Sequence, residues 1–190
     1  MAPRSRRRRE FEHLALVHLD AIYRSALRLT RSPAEAEDLT QEVYLRAFRF
    51  FHQFERGTNC RAWLFKILKN AFLNRQRAQG REHQQVSLEE ANPPGETELE
   101  SITYLVRSPE EDLLQKVTGE QIERAVEELP QVFRRVFILS DVEGFTYKEI
   151  AEIEGCPLGT VMSRLFRARR MLQKLLRAYV KGEDARAREK

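Results

Sequence analysis

Apolar residues recur at spacings of three and four along most of this chain, and the two-residue alternation of half-buried strands is missing. A first helix is expected from Phe11 to Leu29, with Leu14, Val17, Ala21, Ala26 and Leu29 as its stripe. Ser32-Pro33-Ala34-Glu35 is a helix start: Ser32 caps, Pro33 suits the first position and Glu35 reaches back. That helix should run to about Phe51, burying Ala36, Leu39, Val43, Ala47 and Phe50, and leaving Asp38, Gln41, Glu42 and Arg49 off the stripe. A loop from His52 to Asn59, pivoting on Gly57, leads to a helix from Cys60 to Arg77. Cys60, Leu64, Ile67, Leu68 and Ala71 gather on one side of it. Trp63, Lys66, Asn70, Asn74 and Arg77 gather on another, within about 80° of arc at about 100° per residue.

The pattern dissolves from Gly80 to Ser108, where Pro93-Pro94-Gly95 and scattered acids mark a linker. Ser108-Pro109-Glu110-Glu111 repeats the capping logic of Ser32, and four helices are expected after it, at about 109–128, 131–141, 147–154 and 157–179. Thr146-Tyr147-Lys148-Glu149 is a capping box for the third. The third helix is short, Gly155-Cys156-Pro157 is a tight turn, and Pro157 opens the fourth; this is the punctuation of a helix-turn-helix. In the fourth, Leu158, Val161, Leu165, Ala168, Leu172 and Leu175 form the core stripe. Thr160, Ser163, Arg167, Arg170 and Lys174 lie opposite, with Arg164 and Phe166 on the flanks. Such a basic face suits the major groove, where arginine forks onto guanine and an aromatic ring meets a thymine methyl. Arg169 lies near the core stripe and reads as structural, and Met162 sits at the stripe's edge.

Charge sharpens this picture. The net charge is only +4, yet residues 56–81 and 157–181 each carry seven Lys/Arg and no acid, while residues 86–112 carry eight Asp/Glu against Arg107 alone. Two basic blocks around an acidic middle imply two polyanion-binding surfaces joined by a segment that is not one. The fold class is therefore all-α: two small helical domains, residues 11–79 and 109–180, joined by a flexible acidic linker at 80–108, with no fixed mutual orientation in the free chain. Residues 1–10, with Arg4 and Arg6 to Arg9, are expected as a basic disordered tail, and residues 181–190 as a charged one. No apolar run follows the arginines, so neither a signal peptide nor membrane insertion is expected. Two cysteines nearly a hundred residues apart, Cys60 and Cys156, make no disulfide framework and suit a reducing cytoplasm. They read as small helix-end residues. The four histidines (His13, His18, His52 and His83) are scattered, and neither a phosphate-binding glycine loop nor a zinc-protease motif is present. No catalytic group, metal or cofactor is expected, and the chain does not read as an enzyme.

The motifs resemble a known family. Thr146-Tyr147-Lys148-Glu149-Ile150-Ala151, Gly155-Cys156-Pro157-Leu158-Gly159-Thr160-Val161 and Ser163-Arg164-Leu165-Phe166-Arg167-Ala168-Arg169 resemble domain four of the extracytoplasmic-function sigma factors. Glu37-Asp38-Leu39-Thr40-Gln41-Glu42-Val43-Tyr44 resembles that family's polymerase-binding helix. Gly57-Thr58-Asn59, Ala62-Trp63-Leu64 and Asn70 resemble its promoter-melting segment. The resemblance implies that Asp38, Gln41 and Glu42 meet the clamp helices of the largest subunit of core RNA polymerase. It implies that the loop Phe54 to Asn59 receives a flipped base, with Trp63 and Asn70 on the strand-opening helix. Domain four would bind the flap of the second-largest subunit and read the minus-thirty-five element of promoter DNA through Ser163, Phe166 and Arg167. An anti-sigma protein is a further implied partner. The residue chemistry agrees: melting needs an aromatic wedge and amides for an unstacked base, which Trp63, Asn70 and Asn74 supply, with Lys66, Lys69 and Arg77 for phosphates. The alternative is a helix-turn-helix regulator that binds its operator without replacing the polymerase's specificity subunit.

Overall fold

The computed structural model describes residues 3–80 and 118–188, with side chains from 6–80 and 118–179. The linker expected at 80–108 and the helix start at Ser108 fall, apart from Gly80, outside the described residues. Among the described residues every regular element is helical. They are α1 (Pro3–Ala15), α2 (Leu19–Thr30), α3 (Pro33–Phe50), α4 (Cys60–Ala78), α5 (Gly119–Glu128), α6 (Gln131–Phe137), α7 (Tyr147–Glu154) and α8 (Leu158–Arg188). Short 3₁₀ turns cover Leu16–His18 and Phe51–Gln53, and a π turn covers Ile138–Val142.

The starts of α3 and α7 follow their sequence signals. Ser32 Oγ accepts from the Glu35 amide at 3.4 Å, and Thr146 and Glu149 close a reciprocal capping box. Thr118 and Gln121 form a second such box at the start of α5. Gly155, at φ +65°, ends α7 in the left-handed conformation that glycine tolerates best.

Three departures have physical causes. The expected helix at Phe11–Leu29 is broken by the turn at 16–18. A 3₁₀ turn advances each residue by more than an α turn does, so the apolar stripe is re-phased. Phe11, Ala15, Ile22, Ala26 and Leu29 are buried, whereas Val17 is 70% exposed. The N-terminal arginines are not a disordered tail either, since residues 3–15 form α1. Arg7 Nη2 donates to the carbonyls of Phe48 (2.9 Å) and Arg49 (3.2 Å) at the end of α3, the first of which also accepts from the Phe51 amide. Phe11 anchors the same helix, with its ring edge-on to Phe48 and Phe51. Lastly, α8 runs to Arg188, past its expected end at 179 and through residues 181–188 of the expected tail.

The chain forms two compact units. The first unit comprises residues 1–83 and 138–161. Ala36, Leu39, Val43 and Ala47 of α3 are fully buried in it, with Ile22 and Ala26 of α2 and Leu64, Leu68 and Ala71 of α4 buried alongside. α7 packs on α4. Residues 138–161 pack against the N-terminal helices within this unit. What binds them is Glu143, whose side chain is only 7% exposed. Its carboxylate receives Arg61 Nη2 at 2.5 Å and Ser25 Oγ at 2.8 Å, and Arg28 Nη1 lies 3.9 Å away. Arg61 Nη1 also donates to the Glu143 carbonyl at 2.8 Å.

The second unit comprises residues 84–137 and 162–190. Its described core is Ala125, Val126, Leu129 and Phe133 against Ala168, Leu172 and Leu176 of α8. Leu176, rather than the expected Leu175, completes the stripe, and Leu158 at its other end is 41% exposed. Arg134 is buried in this unit, donating to the carbonyls of Val126 (3.1 Å), Glu127 and Leu129 (2.7 Å). It thus serves the carbonyls at the end of α5, of which Val126 also accepts from the Leu129 amide at 3.3 Å.

Replacing Arg134 by Met keeps length and removes every donor, leaving buried carbonyls unsatisfied. We expect a loss of about 3 kcal/mol, from about 1–3 kcal/mol for each unsatisfied buried group. The exposed Arg124→Met should stay within about 0.5 kcal/mol of the parent. Denaturant unfolding followed by circular dichroism tests both, and equal effects would show that Arg134 is not a helix cap.

Candidate nucleic-acid interface

α4 begins at Asn59, whose Oδ1 accepts from the Ala62 amide at 3.1 Å. Its other side-chain atom, Nδ2, donates to Glu149 Oε1 at 2.7 Å. This bond helps hold the Glu149 carboxyl below its usual range, after the larger contributions of the Thr146 amide and hydroxyl. The preceding loop turns at Gly57 (φ +88°), and Thr58 Oγ1 donates to the Glu55 carbonyl at 2.7 Å. Arg56 reaches back to α1 and grips Glu10 with two bonds, of 2.6 and 2.8 Å. Its hydrogen bond lowers the Glu10 carboxyl from the ordinary value.

Behind the loop stands a group of rings. Phe54 is stacked on Phe51 at 5.8 Å, and Trp63 lies 5.2 Å from Phe54 and 6.3 Å from Phe51. Trp63 is consequently half-buried, with part of its indole left at the surface. Lys66, Asn70, Asn74 and Arg77 continue its face along α4, all exposed. On the other side Leu64, Phe65, Leu68, Ala71 and Phe72 are buried, while Ile67 is only partly so. The helix thus presents a wedge, amides and cations in one row. Lys69, on the flank of this row, donates to the Glu154 carbonyl at the end of α7 (3.1 Å).

On α3 the expected face divides. Asp38 and Gln41 are exposed. Glu42 is engaged inside the fold, pairing with Arg46 at 2.5 Å and with Arg75 of α4 at 2.7 Å. Leu45, 65% exposed, extends the Asp38 and Gln41 face by one turn. Reading the sequence missed it, although an apolar residue off the buried stripe was the available signal.

Along α8, Ser163, Arg170 and Lys174 are exposed, and Thr160, Arg164, Phe166 and Arg167 are half-buried. They lie away from the buried Val161, Leu165, Ala168 and Leu172. Met162 is 36% exposed and Arg169 half-buried. Cys60 is buried at the first position of α4, and burial pushes its thiol up from the usual value. Cys156 is half-buried in the turn before α8. Among the described residues no three His, Cys, Asp or Glu side chains converge as a metal site would require. No described helix is long and apolar enough to cross a membrane.

The family model for Sigma-70 region 2 matches residues 14–82, and that for Sigma-70, region 4 matches residues 119–172. The chain is 35% identical over 174 residues to the ECF RNA polymerase sigma factor SigE of Mycolicibacterium smegmatis, covering 87% of this chain and 61% of that relative. It is 31% identical over 172 residues to the RNA polymerase sigma-H factor of Pseudomonas aeruginosa, covering 89% and 87%. Among solved structures it is similar to the sigma factor RpoE from Bartonella quintana, crystallised with the anti-sigma factor NepR. The TM-score is 0.66 and the identity 32%, covering 88% of this chain and 97% of that one.

The ion pairs of Glu42 set it apart from its neighbours on α3. Glu42→Lys faces Arg46 and Arg75 with a like charge and should destabilise the fold by about 1–2 kcal/mol, since the pair is only partly exposed. Asp38→Lys and Gln41→Lys should change stability by less than about 0.5 kcal/mol. Thermal unfolding of the three variants separates these outcomes.

Proposed function

The chain belongs to the family of ECF RNA polymerase sigma factors, and we propose that it acts as one by binding core RNA polymerase and directing promoter-specific transcription initiation. The observation that carries this reading furthest is the row on α4. Trp63 is half-buried against Phe51 and Phe54, and exposed Lys66, Asn70, Asn74 and Arg77 continue beside it. Opening a duplex costs unstacking energy, which a base held on aromatic and amide groups offsets. In this reading the loop from Phe54 to Asn59 receives an unstacked minus-ten base, and Arg56 anchored on Glu10 keeps that loop in shape. The face of Asp38 and Gln41, with Leu45, meets the clamp helices of the largest subunit. Glu42 contributes mainly by fixing α3 on α4.

α8 takes the duplex. Thr160, Ser163, Arg164, Phe166 and Arg167 enter the major groove of the minus-thirty-five element, while Arg170 and Lys174 sit nearer the phosphates. The capping box of α7 and the left-handed Gly155 support this by setting the angle at which α8 leaves the turn. A partner of the anti-sigma class is part of the proposal, since a relative of 32% identity was crystallised with one.

Purified chain, core polymerase and promoter DNA provide the test. Transcripts should start at a defined site only when both proteins are present, and specific DNA binding by the chain without core would favour the helix-turn-helix regulator instead. Within the holoenzyme, Arg167→Ala should cost about 1–3 kcal/mol of promoter affinity and relax specificity at one or two base pairs. Lys174→Ala should weaken binding to all sequences alike and reduce the salt slope by about one unit. The same change in specificity from both substitutions would refute the assignment of the α8 face.

A further inference from the structure

Glu10 and Phe11 of α1 lie before the region matched by the Sigma-70 region 2 model, which starts at residue 14. Both nevertheless reach the segment between α3 and α4, and every contact described here lies within the first compact unit. The Glu10 carboxylate accepts from Arg56 Nε at 2.6 Å and from Arg56 Nη2 at 2.8 Å. Phe11 is buried and meets Phe51 edge-on at 5.2 Å. Phe51 is stacked on Phe54, and Phe54 lies 5.2 Å from Trp63. One turn of α1 therefore grips the exposed limb of the loop and, through a chain of rings, the wall behind it. The helix is itself fixed, because Arg7 bonds the end of α3 and lies over the Phe48 ring. α1 also packs against α4.

The purpose of the Glu10–Arg56 pair is not fold stability. The Arg56 side chain is 77% exposed, and ion pairs so placed add little to stability. Two bonds to one carboxylate do, however, fix the direction of a guanidinium. From Phe54 to Thr58 the loop's own hydrogen bonds are local. The Thr58 amide and hydroxyl both donate to the Glu55 carbonyl, and the Phe54 amide donates to the Phe51 carbonyl. Such bonds shape each turn without setting where the loop stands relative to Trp63. Gly57, at φ +88°, leaves the limb easily moved. The grip of α1 supplies the missing constraint.

We propose that α1 is a brace that sets base preference at the loop from Phe54 to Asn59, with Glu10 and Phe11 as positioning residues that touch no DNA themselves. That the loop receives a base rests on the sigma-factor reading; the brace does not. Groups that read a base must be held within about 0.5 Å of their working positions. Without Glu10 the limb around Gly57 visits further positions, and a wrong base is rejected less well.

The test begins with hydrogen exchange of the full chain, read by mass spectrometry on the amides of residues 54–58, where faster exchange reports local opening. Glu10→Gln should speed that exchange severalfold. Arg56→Lys keeps the charge but loses the fork, and should act in the same direction. Glu12→Gln removes the neighbouring surface pair with Arg8 and should leave the loop at the parent rate. Circular dichroism confirms folding, and if Glu10→Gln does not fold, Arg56→Lys is read in its place. Parent-like exchange in the folded variants, or equal acceleration by Glu12→Gln, overturns the brace. The second measurement uses core polymerase, the full chain and a promoter library randomised across the minus-ten element, with the transcripts sequenced. Glu10→Gln should lower preference severalfold for the base that the loop receives and leave the other positions as in the parent. Unchanged preference, or an equal loss at every position, overturns the specificity role while the brace stands. If the parent chain directs no core-dependent transcripts, the sigma-factor reading fails and takes the specificity role with it, and hydrogen exchange still decides the brace.

Discussion

A carboxylate taken out of water must meet positive charge and hydrogen-bond donors, or the fold that buries it is penalised by several kcal/mol. Glu143 is such a group, and much of the first unit is arranged around it. Ser25 must be small and polar at a buried position of α2. Arg61 must leave α4 on the side of its core stripe, where Phe65 and Phe145 hold its guanidinium flat. The chain after α6 must open into a π turn, in which the Glu143 amide reaches the Ile138 carbonyl at 2.9 Å. None of these choices is favoured by local propensity alone. Together they leave the acid satisfied and bring the corner before α7 onto α4.

The same economy recurs at helix ends, where carbonyls lack helical partners. Arg7 serves the end of α3, Arg134 the end of α5 and Lys69 the end of α7. Arg75 ties α4 to α3 through Glu42. A count of cations therefore overstates what is available to a nucleic acid. The chain's basic blocks are partly internal fittings.

Where a property depended on one helix at a time, it could be read from the sequence. Of the stripe expected on α3, Ala36, Leu39, Val43 and Ala47 are buried as their spacing implies while Phe50, at the helix end, is 41% exposed, and Ser32, Thr146 and Gly155 cap as their types imply. The α4 row needed only the helical period. What could not be read was the choice of long-range partner. Arg7 and Arg134 look like solvated arginines, because a cap donated from another element leaves no mark on local spacing. Glu42 looks like its neighbour Asp38, and only the register of α3 on α4 sets it against Arg75. Val17 was misplaced because a three-residue turn shifts helical phase without any glycine or proline to announce it.

The π turn at Ile138–Val142 is one residue longer than the α-helical path it replaces. Insertions of this kind act as phase shifters. Without the extra residue, everything downstream would rotate by about 100° about the helix axis. Glu143 and Phe145 take their phase from this turn. Length at this one place therefore works as a key. A one-residue deletion between α6 and α7 would change the phase at which Glu143 and Phe145 leave the turn while leaving every side chain in the sequence around them the same.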